Sequence, residues 1–68
     1  GAEPVRTADG REGRRLAFSA KNGSTPYRYE ATLFVTGSYI YVIEAAAKAK
    51  RFKAHRGSVD SLIASFRP

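Results

Sequence analysis

Apolar positions along the chain follow first a two-residue and then a helical period. Leu16, Phe18 and Ala20 alternate with Arg15, Ala17 and Ser19, the pattern of a half-buried strand over about residues 14–21. Asn22-Gly23 follows, a dipeptide that tolerates positive φ at both positions and closes hairpins. A second alternating stretch covers about 26–36, Gly37-Ser38 makes another turn, and a third stretch covers 39–46. After a basic loop at 47–57 the period lengthens. Val59, Leu62, Ile63 and Phe66 fall at i, i+3, i+4 and i+7, with Ser58 placed as N-cap and Asp60 in the first turn, which predicts a helix over 58–67. Residues 1–13 hold three of the six glycines and one of the three prolines, and read as an irregular leading segment with a short extended piece at Val5-Arg6. The expected organisation is therefore a single β-β-β-α domain over 14–68. It is an α+β fold, a three-stranded antiparallel meander with one C-terminal helix packed on one sheet face.

The two turns set a register. A two-residue Asn22-Gly23 turn pairs Phe18 with Tyr27 and Leu16 with Tyr29, and a Gly37-Ser38 turn pairs Val35 with Ile40 and Leu33 with Val42. Leu16, Phe18, Tyr29, Ala31, Leu33, Val35, Ile40 and Val42 then share a face, and the helix is expected to lie there, because so short a helix does not stand alone. The opposite face carries Arg15, Ser19, Arg28, Glu30 and Thr32, but also Phe34, Tyr39, Tyr41 and Ile43. Four large apolar or aromatic residues on a solvent side mark a contact surface, so these four are the candidate interface.

Composition sharpens that expectation. Of the hydrophobic residues, 11 are alanine and only 18 are larger, a small core for 68 residues. There is no cysteine, so neither a disulfide nor a thiolate metal site helps the fold. The remaining way to bury more surface is another chain, which predicts a homodimer or a protein partner. No apolar run is long enough to span a membrane.

Charge introduces a second class of partner. Twelve Lys and Arg against six Asp and Glu give a net charge of +6. Between Glu44 and Asp60 there is no acid, while Lys48, Lys50, Arg51, Lys53 and Arg56 fall together. These five are the candidate anion-binding residues, for nucleic acid or another polyanion, with Phe52 packing or stacking among them. Backbone conformation is open at 45–57: the alanine-rich stretch extends the strand, loops out or begins a helix early.

Catalytic chemistry is not indicated. His55 is the only histidine and stands among cations, with no acid within four residues to orient it. Glu30 and Glu44 lie on neighbouring strands but point to opposite faces in the expected register, which argues against an acid–base pair. The serines have no His/Asp context and read as turn, cap and helix-surface residues. Gly10-Arg11-Glu12-Gly13 matches a GXXG backbone clamp in letters only, since a strand and not a helix follows it. No catalytic, cofactor-binding or metal-ligating residue is assigned, and an enzyme is not expected.

Taken in order, a Gly10-Arg11-Glu12-Gly13 lead-in to an alternating strand, a strand ending Val35-Thr36-Gly37-Ser38, the following Tyr39-Ile40-Tyr41-Val42, and a closing helix ending Ile63-Ala64-Ser65-Phe66-Arg67 form a pattern. Over residues 10–67 it resembles the C-terminal half of PsbP-like (Mog-type) small α/β domains, through short motifs that are structural in kind. Members of that family carry a further N-terminal strand-and-helix portion, and the 48–56 stretch here is more basic than a plain strand-to-helix connection requires. The resemblance implies a non-catalytic binding or accessory module without naming a ligand. It also implies half a domain that recovers lost packing by dimerising or exchanging elements. Two functions follow as expectations: an interaction or self-association module working through the aromatic sheet face, or a small nucleic-acid-binding protein using 48–56.

Overall fold

The computed structural model describes residues 2–67, and Gly1 and Pro68, at the ends of the two segments expected above, lie outside them. Four strands run in sequence, β1 (Ala2–Arg6), β2 (Glu12–Asn22), β3 (Thr25–Thr36) and β4 (Tyr39–Lys48), followed by two short helices, α1 (Ala49–Ala54) and α2 (Arg56–Ala64). The sheet is an antiparallel meander in the order β1-β2-β3-β4. The class is thus α+β, with one strand and one helix more than the sequence suggests.

The additional strand comes from the leading segment. Ala2–Arg6 pairs with Glu12–Leu16, and the turn between them is closed locally. Thr7 donates its backbone N–H to the Arg11 carbonyl (2.8 Å) and accepts the Arg11 N–H on its hydroxyl (3.0 Å). The Thr7 hydroxyl also donates to the Asp9 carboxylate, and Ala8 N–H reaches the carbonyl of Ala64 at the end of α2 (2.8 Å). A side chain that replaces backbone partners in this way has no periodicity, so the pattern of apolar residues does not reveal it.

Both remaining turns are two-residue hairpins led by glycine. Asn22 pairs with Thr25 and Thr36 with Tyr39, leaving Gly23-Ser24 and Gly37-Ser38 at the tips. Gly23 and Gly37 take φ of 63° and 55°, while neither serine has positive φ, the arrangement of a type II′ turn. The second hairpin has the expected register. In the first, the turn falls one residue later than Asn22-Gly23, so Phe18 pairs with Tyr29 and Leu16 with Ala31. The pairing moves by two residues, which leaves every side chain on its expected face.

The helices cover the other face from the one expected. The ambiguous 45–57 stretch first prolongs β4 to Lys48 and then coils at once into α1, as its alanines and lysines favour. His55 separates α1 from α2, and its N–H still bonds to the Arg51 carbonyl (3.0 Å), so Ser58 lies inside α2 and caps nothing. The inward stripe is Phe52, Arg56, Val59, Ile63 and Phe66, with Leu62 left 61% exposed. This stripe contains an arginine and therefore seeks an acid. It settles on Arg15, Glu30, Thr32, Phe34 and Tyr41, where Phe66 stacks on Phe34 (centroids 4.8 Å apart) and lies 5.4 Å from Tyr41. Gly13 makes room beneath: a Cβ there would stand 2.6 Å from the Phe34 ring and from the Leu33 carbonyl. The core comprises Phe34, Phe52 and Ile63, with Glu30 and Thr32 buried alongside, while Ala31 is buried on the opposite sheet face.

Candidate functional site

One face of the sheet is left bare by the described residues. Its rows across the strands read Ala20, Tyr27 and Lys48; then Phe18, Tyr29 and Ala46; then Ala2, Leu16, Ala31 and Glu44; then Pro4, Arg14, Leu33 and Val42; then Arg6, Glu12, Val35 and Ile40. Phe18, Val35, Ile40 and Val42 are each at least half exposed. A contiguous, largely apolar sheet face without a covering layer among the described residues is unusual in a small domain. At the β1–β2 side it curves into a groove of about 750 Å³ lined by Pro4, Val5, Arg14, Leu16, Leu33 and Val35. Charges on the face are few. Arg6 pairs with Glu12, while Arg14 and Glu44 have no ion-pair partner among the described residues. Burial, reinforced by a hydrogen bond to Glu44 and its negative charge, pushes the Tyr29 phenol above its ordinary value.

The covered face is held by ions. Glu30, 1% exposed, accepts from Arg56 through both oxygens (2.7 and 2.6 Å) and from Arg28 at 3.1 Å, with Arg15 3.9 Å away. Asp60 joins the cluster at 3.2 Å from Arg15 and 3.4 Å from Arg56, and Glu3 also pairs with Arg15. The Arg56 hydrogen bond dominates over the opposing effect of burial and holds the Glu30 carboxyl below its ordinary range. Arg56 also lies 4.9 Å over the Phe52 ring, a cation–π contact.

These contacts place the residues singled out from sequence. Phe34 is 0% exposed beneath Phe66 and offers no surface; Tyr41 and Ile43 are half-buried on the same helix-covered side, and Tyr39 stands 68% exposed at the hairpin end. The four do not form one open patch. Lys48 ends β4, and Lys50, Arg51 and Lys53 project from α1, all exposed and without an ion-pair partner among the described residues. Lys21, on the neighbouring hairpin, adds a cation at the same end of the sheet. Arg56 stands apart, its guanidinium committed to Glu30 and Asp60. A cleft of about 340 Å³ between α1 and the first hairpin, lined by Tyr27, Arg28, Phe52 and Lys53 among others, adjoins this end.

The Glu30 cluster was not visible as a site in the sequence, because its members are scattered over the chain from Glu3 to Asp60. The alternation that groups Glu30 with Arg15 and Arg28 was its only signal. Among the described residues no group of His, Cys, Asp and Glu is arranged to hold a metal ion, and no helix is long and apolar enough to cross a membrane. The chain matches no protein-family model, no curated protein and no solved structure.

Proposed function

We propose that the protein is a non-catalytic interaction module whose working surface is the bare sheet face around Leu16, Phe18, Leu33, Val35, Ile40 and Val42. The observation that carries this reading is the exposure of that face in a domain whose helices both lie on the other side. Exposed apolar area of this kind gains most when another protein removes it from water, at about 25 cal/mol per Å². The resemblance to the C-terminal half of PsbP-like domains points the same way, since it implies a binding or accessory role.

Site-specific photo-crosslinking tests the proposal. p-Benzoylphenylalanine is placed at Phe18, Ile40 or Val42, with exposed Ser61 on α2 as control, and the protein is irradiated both purified and in cells that make it. Discrete protein adducts from the three face positions and none from Ser61 are expected. Absence of adducts from all three overturns the reading.

A second reading is supported by the segregation of charge. Lys21, Lys48, Lys50, Arg51 and Lys53 gather at one end while the acids, Glu44 apart, are engaged in ion pairs elsewhere. Such an end suits a polyanion such as single-stranded nucleic acid, bound chiefly through phosphates.

A further inference from the structure

We infer that the occupant of the bare face is a second copy of this chain, its strands crossing the first at a steep angle, with Arg14 of each copy against Glu44 of the other. The inference rests on the bare face being an interaction surface and names the partner. Any protein that covers the face must answer two charges in its middle, one cation and one anion. The Tyr29 hydroxyl offers Glu44 a hydrogen bond, but neither Glu44 nor Arg14 has a counter-charge among the described residues, and an ion without one is costly once water is removed. Arg14 lies on β2 opposite Leu33, and Glu44 on β4 opposite Ala31, so they flank β3 symmetrically about Thr32.

With strands ~4.8 Å apart and a rise of ~3.4 Å per residue, each charge stands about 6 Å from Thr32, in opposite directions. A twofold axis lying between two facing sheets reflects one face onto the other. When that axis is perpendicular to the Arg14–Glu44 line, Arg14 of each copy falls on Glu44 of the other, and two identical ion pairs form. The strands of the two sheets then cross at roughly 70°, towards the orthogonal class of sheet packing.

The same operation matches the apolar residues. Val42 lands between Leu33 and Val35 of the other copy, Leu16 between Ala31 and Tyr29, and Ile40 close to its own counterpart. Lys48 is carried beyond the β1 edge of the other sheet, so the cationic ends diverge and the net charge of +6 on each copy does not oppose contact at the centre. The overlap is a patch about 20 Å on a side, at the small end of specific interfaces, so the dimer is one that dissociates on dilution.

Sedimentation velocity over a wide concentration range tests this with the full chain. The wild type is expected to show a concentration-dependent dimer. Arg14→Glu and Glu44→Arg, both at exposed positions, should each weaken it at least tenfold while keeping the wild-type circular dichroism. An equimolar mixture of the two should recover dimer mass, because each faces the opposite charge on the other. The double variant Arg14→Glu/Glu44→Arg, with unchanged net charge, should also recover it. A wild type that stays monomeric, a dimer indifferent to both single changes, or folded single variants whose mixture does not recover would each overturn the inference. Crosslinks from the face to a different protein alongside a monomeric mass remove the dimer but leave the interaction reading. Absence of both removes the two together.

Discussion

Replacing Glu30 by Gln keeps the shape of the side chain and removes its charge. Four guanidinium approaches converge on this carboxylate: two from Arg56 at 2.6–2.7 Å, one from Arg28 at 3.1 Å and one from Arg15 at 3.9 Å. A hydrogen bond to a charged group contributes about 1.5–3 kcal/mol net, and breaking a fully buried ion pair from one side costs about 3–5 kcal/mol. The carboxylate is buried, but the arginines keep 19–39% of their side-chain exposure, so water relieves part of the loss. We expect a destabilisation of about 2–4 kcal/mol, against a total of roughly 3–10 kcal/mol for a domain of this size. At about 4–8 °C per kcal/mol this is a Tm lower by roughly 8–32 °C.

Urea titration at neutral pH followed by far-UV circular dichroism measures the change, and repetition at lower pH tests its cause. The folded Glu30 carboxyl titrates below its ordinary value of 4.5. Its contribution is therefore complete above that value and is lost as pH falls through the folded one. Wild-type stability should drop in acid, and Glu30→Gln should show a shallower acid limb. A loss under about 1 kcal/mol, or an acid limb identical in both proteins, would refute the argument that this ion cluster holds the helices to the sheet.

Three further outcomes are expected. Gly13→Val should destabilise by about 1–3 kcal/mol through overpacking against the Phe34 ring and the Leu33 carbonyl, read as a lower urea midpoint. Phe66→Ala, which removes the ring packed on Phe34 and Tyr41, should cost about 2–3 kcal/mol, below the range for a fully buried Phe because the residue is half-buried, and should increase amide exchange along α2. Neutralising Lys50, Arg51 and Lys53 to Gln should change stability by less than about 0.5 kcal/mol. If the polyanion reading holds, the triple variant should also weaken binding of a short single-stranded oligonucleotide and flatten its salt dependence in an amide NMR titration.

Much of the sheet was legible because alternation is a local signal. Leu33, Val35, Ile40 and Val42 declare one face, and the Gly37-Ser38 turn gives their pairing, since glycine is the residue that reaches the required positive φ without strain. The first hairpin shows how robust this is: a turn displaced by one residue moved the register by two and changed no face. The first strand was hidden because Ala2–Arg6 is short, contains a proline and is closed by side-chain bonds from Thr7. The basic stretch, open between strand, loop and early helix, was ambiguous for a different reason. Its cations suggested solvent, but lysine and arginine are good helix formers, and within α1 only Phe52 is buried.

Sequence alone therefore determined which residues of the three-stranded meander share a face, its strand order and the net charge, since each depends on neighbours along the chain. It did not determine which face the helices would cover. Counting apolar residues favours the Leu16–Val42 side; the helices lie instead on the side with Glu30, where the half-exposed Arg56 of the helical stripe answers a buried carboxylate that needs a cation within hydrogen-bond reach. That choice depends on groups 26 residues apart meeting in space, and it is what leaves the more apolar face uncovered among the described residues.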